Sequence, residues 1–271
     1  MLANLHAHTF RCRHASGTDR EYVEAALAAG YRAIGFSDHC PWPWDPAEMP
    51  PGYRSNVRMD AAETGGYFAS LLALREEYAG RIDIRIGFEA EYLPHRVAAQ
   101  DELFSRFPLD YLILGQHSFG DEWLRDWSSV PTTDESRLAR YVDTCVEGLS
   151  TGRFVYLAHP DIIRYEGPES VWEKHMGRLC DFLRERDLPV EVNLLGLATG
   201  RHYPSRRMLR LAAARGNWAT IGVDAHSPDR YAEAPALEAR ARALCEEAGL
   251  PLREPPVPAP VRTLSRAQPR T

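Results

Sequence analysis

The chain has 271 residues, 44% hydrophobic and 26% charged, with a formal net charge of −6. That composition supplies a globular core. The acidic balance excludes a broadly basic nucleic-acid-binding surface, although a local cationic pocket stays open.

In chain order, short apolar runs alternate with longer amphipathic stretches. Strands are predicted over 3–7, 32–37, 83–88, 110–115, 154–158, 189–193 and 218–223, each rich in Val, Ile, Leu or aromatic residues, as buried parallel strands are. Thr18-Asp19-Arg20-Glu21 is a capping-box sequence opening a helix that Gly30 closes. Phe68, Leu71, Leu72 and Arg75 give helical spacing over 67–79. Further helices are predicted over 134–149, 169–186, 205–215 (with Ser205 as N-cap) and 232–248. The alternation implies an α/β fold with both sheet faces covered. Seven units without a composition break favour one closed or nearly closed barrel over residues 1–251. Two segments depart from the rhythm: a long proline-broken loop over 40–57, with Trp42 and Trp44 read as loop packing, and residues 252–271, whose five prolines read as a poorly ordered tail.

Five widely spaced cysteines without a CxxC pair suggest neither a disulfide framework nor a zinc ribbon, and reduced thiols are the expectation. The N-terminus carries no basic-then-apolar secretory pattern, and no apolar run approaches the roughly 20 residues that span a bilayer. The expectation is a soluble cytoplasmic protein with no membrane partner.

The histidines carry the main functional signal. His6 and His8 stand two apart on the first predicted strand, so alternation turns them to one side, and His14 follows in a turn. Asp38-His39 ends the second strand, Glu89 the third, His117 follows the fourth, His159 ends the fifth, and Asp224 and His226 end the seventh. In barrels the chemistry sits at the C-terminal ends of the strands, and almost every strand here delivers an imidazole or a carboxylate to that rim. This donor set suits zinc, iron, manganese or nickel better than calcium or magnesium. His95 and His175 read as surface residues, and His202 lies in a loop that can reach the rim. No Walker-type phosphate loop and no Gly-x-Ser-x-Gly elbow appears.

His6-Ala-His8-Thr9, Ser37-Asp38-His39-Cys40, Glu89 after Gly87, Gly115-Gln-His117, Ala158-His159-Pro160-Asp161 and Gly222-Val-Asp224-Ala-His226, in this order, resemble the PHP (polymerase and histidinol phosphatase) superfamily. Gly35–Pro41, Gly-Phe-Glu-Ala-Glu-Tyr at 87–92 and Tyr203-Pro204-Ser205 resemble its histidinol-phosphate phosphatase branch. The resemblance implies a distorted seven-stranded (β/α)7 barrel with the metal site at the C-terminal strand ends. It also implies three divalent transition-metal ions, zinc, manganese or iron. His6, His8, Glu89 and Asp224 would hold one, Glu89 would bridge to a second held by His117 and His159, and His14, His39 and His226 would hold a third. The implied activity is phosphate monoester hydrolysis, with histidinol phosphate of histidine biosynthesis as substrate and a metal-bridging hydroxide as nucleophile. Asn193-Leu194-Leu195-Gly196-Leu197-Ala198 departs from the Asn-Thr-Ser/Ala-Gly-Leu-Arg of that branch, which bears on substrate identity rather than on the metal set.

An arginine would complete the phosphate clamp. Arg164, five residues past His159, is the first candidate and Arg201 the second; Asp38 or His202 would protonate the leaving group. Two rival readings differ in kind. A phosphodiesterase or nuclease of the same superfamily would use the same metals, and a non-catalytic metal-binding domain would show losses among the ligands, of which there are none.

Overall fold

The computed structural model describes residues 1–45 and 47–256. Among the described residues six strands appear: β1 Ala3–Asn4, β2 Ala33–His39, β3 Asp83–Ala90, β4 Tyr111–Leu114, β5 Val190–Asn193 and β6 Ala219–Gly222. All pair in parallel, β1 to β4 in one sheet and β5 with β6 in another. Leu157 bridges Leu114 to Val190, and Ala7 bridges to Ala225, so the parallel sheet curls around a common interior.

The fifth predicted strand, 154–158, is therefore present as a bridging segment and not as a regular strand. Its backbone exchanges three hydrogen bonds with β4, Val155 N to Leu112 O, Leu114 N to Tyr156 O and Ala158 N to Leu114 O, each 2.9 Å. Toward β5 it pairs only at Leu157, because the chain turns out of extended geometry at His159, where φ is +29°. The first predicted strand, 3–7, also stops early. The Asn4 side chain takes over the pairing at that seam: its amide nitrogen donates to His6 O at 3.1 Å, and its oxygen accepts Val223 N at 2.9 Å.

Helices α1 Asp19–Ala28, α2 Thr64–Glu77, α3 Val97–Phe104, α4 Glu135–Ser150, α5 Glu169–Glu185, α6 Leu194–Thr199, α7 Arg206–Ala214 and α8 Asp229–Ala248 connect these strands. Thr18 caps α1 in the expected capping box, and Ser205 caps α7 by accepting Met208 N. Helices α3 and α6 had no sequence signal. In α6, Leu194 to Leu197 are all buried, so no amphipathic period could announce it.

Strand alternation divides the side chains. Ile34, Phe36, Ile84, Ile86 and Phe88 join the large outer core under the helices. Leu5, Tyr111, Ile113, Tyr156 and Ala158 form a separate inner cluster. Tyr111 fills that interior because its neighbours are small: a Cβ on Gly35 would stand 2.3 Å from its hydroxyl oxygen, and one on Gly87 would stand 2.6 Å from its ring.

The segment after α8 begins in order. Ala219 N donates to Pro251 O, Arg253 N donates to Ala219 O, and Glu254 accepts Leu2 N. Residues 257–271 of the predicted tail lie outside the described residues. Among the described residues no helix is long and apolar enough to cross a membrane.

Candidate metal centre

The same alternation builds the site. Inward positions higher on the strands are polar: His39 and Glu89 are register partners on β2 and β3, while Glu191, Asn193 and Asp224 follow on β5 and just past β6. His6 and His8 enter from the seam after β1, and His117, His159 and His226 from the loops that leave the strand ends. His14 reaches in from the turn that follows a short 3₁₀ turn at Phe10–Cys12.

All nine side chains read as ligand candidates converge. Glu89 stands at the centre, with Oε1 2.8 Å from His159 Nε2, 3.2 Å from His117 Nε2 and 3.6 Å from His6 Nε2. Its Oε2 lies 3.2 Å from His39 Nδ1 and 3.5 Å from His8 Nε2. Asp224 Oδ1 is 3.1 Å from His8 Nε2, 3.5 Å from His6 Nε2 and 3.3 Å from His226 Nδ1. His226 Nε2 and His14 Nε2 stand 3.0 Å apart, and His14, His39 and His226 form a separate trio.

These approaches fit shared cations better than hydrogen bonds. Two ligands about 2.0–2.1 Å from one tetrahedral ion stand roughly 3.3 Å apart. His6 Nε2, His8 Nε2, both Glu89 oxygens and Asp224 Oδ1 are buried without a hydrogen-bond partner. Buried polar groups left so are rare and costly. The backbone is also bent to the purpose: His159 and Asp224 adopt φ of +29° and +53°, a region that side chains other than glycine's enter at a cost. Gly115 makes room for Glu89, whose Oε1 would lie 2.2 Å from a Cβ there.

Electrostatics point the same way. Burial opposes charge on every group, yet the carboxylates win at three imidazoles. His8 is pushed up to about 9 by Asp224 and Asp38, His117 to about 10 by Glu89 and Glu91, and His6 well above its ordinary value by Glu191, Asp224 and Glu89. Burial and the neighbouring His8 push His39 well down and His226 to about 3. Glu89 and Asp224 are held well below the usual carboxylate range, against burial, by His117 and His6 and by His6 and His8 respectively. The carboxylate charge that raises these imidazoles is the charge a divalent cation would compensate, through the same imidazole lone pairs that protons take. The donor set fits such ions. Cys12 lies near His8 and His226, but burial pushes its thiol pKa up, so it keeps its proton.

Behind the cluster stand residues that the sequence reading did not assign. Glu191 Oε1 is 2.8 Å from His6 Nδ1, and Glu191 Oε2 accepts His159 N at 2.7 Å and Asn193 Nδ2 at 3.1 Å. Glu191 fits only because Gly222 lacks a Cβ, which would stand 1.9 Å from Oε1. A lone acid between Val190 and Val192 in a buried strand was the available signal.

The proposed substrate contacts separate on inspection. An inner cavity of about 240 Å³ is lined by the cluster, His6 and His8 excepted, together with Arg201 and Tyr203. It opens to an outer pocket of about 700 Å³ bounded by Arg58, Trp127, Arg164, Arg201, His202 and Tyr203. Arg201 lines both, and its Nη1 donates to the Tyr203 hydroxyl at 2.5 Å. Arg164 reaches only the outer pocket, half exposed and paired with Glu166 at 2.8 Å. His202 lines the outer pocket, its Nε2 donating to Ile162 O at 2.9 Å. Asp38 falls on the helix side of β2 with Ile34 and Phe36. Fully buried, it accepts from the Thr9 hydroxyl and faces His8 Nδ1 at 3.7 Å. His95 is exposed as expected. His175 is not: it is buried where α5 meets α4, with Nε2 3.0 Å from Glu135 Oε1.

The chain is similar to a probable histidinol-phosphatase of Deinococcus radiodurans, 33% identical over 247 residues, covering 86% of this chain and 91% of that protein. A probable histidinol-phosphatase of Schizosaccharomyces pombe is 25% identical over 84% of this chain and 81% of its own length. In fold it is similar to the histidinol phosphate phosphatase of Lactococcus lactis, solved with zinc, L-histidinol and phosphate, at TM-score 0.66, 19% identity and coverage of 92% and 94%. A putative histidinol phosphatase of Listeria monocytogenes matches at TM-score 0.66 and 18% identity, over 84% of this chain and 96% of that one. The PHP domain description matches residues 4–194, and with that span and the Deinococcus relative the chain belongs to the PHP family.

Proposed function

We propose that this chain is a metal-dependent phosphate monoester hydrolase of the cytoplasm, acting on histidinol phosphate in histidine biosynthesis. One observation carries the reading: nine imidazole and carboxylate groups, none lost, converge at the mouth of a pocket that also holds an arginine. We read the two sheets and their bridges as a distorted (β/α)7 barrel, one domain over 1–251, with the site at the C-terminal strand ends. His6, His8, Glu89 and Asp224 would hold one divalent ion, Glu89 with His117 and His159 a second, and His14, His39 and His226 a third, with zinc, manganese or iron suited to these donors. When bound, such ions supply Lewis acidity and an activated water at neutral pH.

The chain's own residues do the rest. Arg201, oriented by the Tyr203 hydroxyl, holds phosphate oxygens where the inner cavity meets the outer pocket, and its planar fork matches them. The outer pocket takes the alcohol half of the ester. His202 borders it and is the remaining candidate to protonate the leaving oxygen; with its Nε2–H given to Ile162 O, only the doubly protonated ring has a proton on Nδ1 to transfer, and the ring returns to the neutral form as the alcohol leaves. Glu191 orients His6 from behind, and Asp38 adds its charge 3.7 Å from His8 Nδ1.

Phosphate release from histidinol phosphate, p-nitrophenyl phosphate, bis-p-nitrophenyl phosphate and a dinucleotide tests the reading, with metals counted by elemental analysis. The expected result is the highest kcat/KM on histidinol phosphate, close to three transition-metal ions per chain, and no activity after chelation. Diesters preferred by tenfold or more would shift the assignment to a phosphodiesterase. One ion or none in active protein would sink the three-ion arrangement.

A further inference from the structure

Beside the cluster lies a buried ionic chain that packing does not require. Arg58, where the segment after β2 turns toward α2, is 2% exposed, and its partners Glu91 and Glu122 are 2% and 5% exposed. Arg58 Nη1 donates to Glu91 Oε2 at 3.2 Å and Nη2 to Glu91 Oε1 at 3.1 Å. Its Nε donates to Glu122 Oε2 at 2.7 Å, and Nη1 also donates to the Cys40 carbonyl at 2.9 Å. Tyr53 and Ser55 hydroxyls donate to Glu122 Oε1 at 2.5 and 2.8 Å, and Trp42 Nε1 donates to Glu91 Oε2 at 3.2 Å. Taking a guanidinium and two carboxylates out of water is costly, and well-packed apolar side chains of equal volume commonly do as well or better for stability. The chain ends at the metal centre. Glu91 Oε1 lies 3.3 Å from His117 Nδ1, and His117 Nε2 faces Glu89 Oε1 at 3.2 Å.

We propose that Arg58 is a positioning residue for the metal centre, acting on His117 through Glu91. The guanidinium grips both Glu91 oxygens, which fixes the carboxylate in the plane where it accepts the His117 Nδ1 proton. Nε2 then keeps its lone pair and points toward Glu89. A metal-ligating histidine is oriented by whatever its other nitrogen donates to, and such partners tune affinity. His6 and Glu191 repeat the arrangement on the opposite side of Glu89, at 2.8 Å. Although Arg58 borders the outer pocket, four of its five N–H groups go to Glu91, Glu122 and the Cys40 carbonyl and its side chain is 3% exposed, which fits a buried support better than a phosphate clamp. Tyr53 and Ser55, through Glu122, tie the segment after β2 to the same chain.

The inference rests on the metal-centre reading, and the experiment keeps the two apart. Zinc affinity of the full chain is measured by competition with a chromophoric chelator, with far-ultraviolet circular dichroism as the check on folding. The variants are Arg58→Met, Glu91→Gln, His117→Ala and the two doubles with His117→Ala. Arg58→Met and Glu91→Gln should each weaken zinc binding about tenfold to a hundredfold, and less than twofold once His117 is alanine. General loss of stability would weaken binding equally in both backgrounds, and that result overturns the proposal, as does an unchanged affinity in the single variants. If Arg58→Met fails to fold, the Glu91→Gln cycle decides alone, since glutamine keeps the volume and can still accept from Arg58. If the unaltered chain binds no zinc, the metal-centre reading itself falls and takes this inference with it.

Discussion

Within one curled sheet, two levels of the interior behave in opposite ways. The lower level is dry and filled: Leu5, Tyr111, Ile113, Tyr156 and Ala158 pack together, with Gly35 and Gly87 yielding space to the Tyr111 ring. The upper level holds Glu89, Asp224 and seven imidazoles, with buried polar atoms that find no hydrogen-bond partner. The two levels share strands, with Gly35 and His39 on β2 and Gly87 and Glu89 on β3, while the other members of the upper level come from the turns and loops beyond the strand ends. Close packing stabilises the lower level. The upper level costs stability unless something compensates its charges. The difference teaches where substitutions should report on folding and where on metal.

Glu89→Gln should produce the largest effect. Glu89 faces five imidazoles, and its loss should lower kcat/KM by more than about a hundredfold, beyond what losing a residue that merely supports a ligand costs. A variant that keeps full activity and metal content would remove Glu89 from the centre.

Arg201→Ala should follow, with about a tenfold to hundredfold loss in kcat/KM and metal content unchanged, as for one charge-assisted phosphate contact of about 1.5–3 kcal/mol. Arg164→Ala, removing a half-exposed pair with Glu166, should change it less than about twofold. Steady-state kinetics of both variants checks the order, and equal losses would place both arginines on the substrate.

The smallest effect breaks the comparison most directly. Gly35→Ala drives a methyl into Tyr111 and Leu5, which should cost about 1–3 kcal/mol of stability while the folded protein binds zinc normally. Gly115→Ala drives one into the Glu89 carboxylate and should weaken zinc binding more than it lowers the melting temperature. Chemical denaturation and zinc titration of the pair measure both quantities. If Gly35→Ala loses zinc and Gly115→Ala loses only stability, the two levels are not separable.

Local pattern carried much of this protein. Apolar runs and capping residues placed most strands and helices, because alternation and capping act over two to four residues. Period-two spacing also set His6 beside His8 and Asp224 beside His226 at strand ends, so a shared rim was legible before any contact was known. The same alternation, applied to β2, puts Asp38 on the helix side with Ile34 and Phe36. What the sequence by itself could not decide depends on groups far apart along the chain. His6 meets Glu191 across 185 positions, and Arg58 meets Glu122 across 64. Arg164 and Arg201 are equivalent as letters; only the folded pocket pairs one with Glu166 and turns the other toward the cluster. The sixteen residues of helix α4 likewise say nothing of the buried ring of His175 on α5, which Glu135 reaches only once the two helices pack. Spacing is a property of the local backbone, whereas the partner of a buried charge is chosen by whichever distant group the closed sheet brings within about 3 Å.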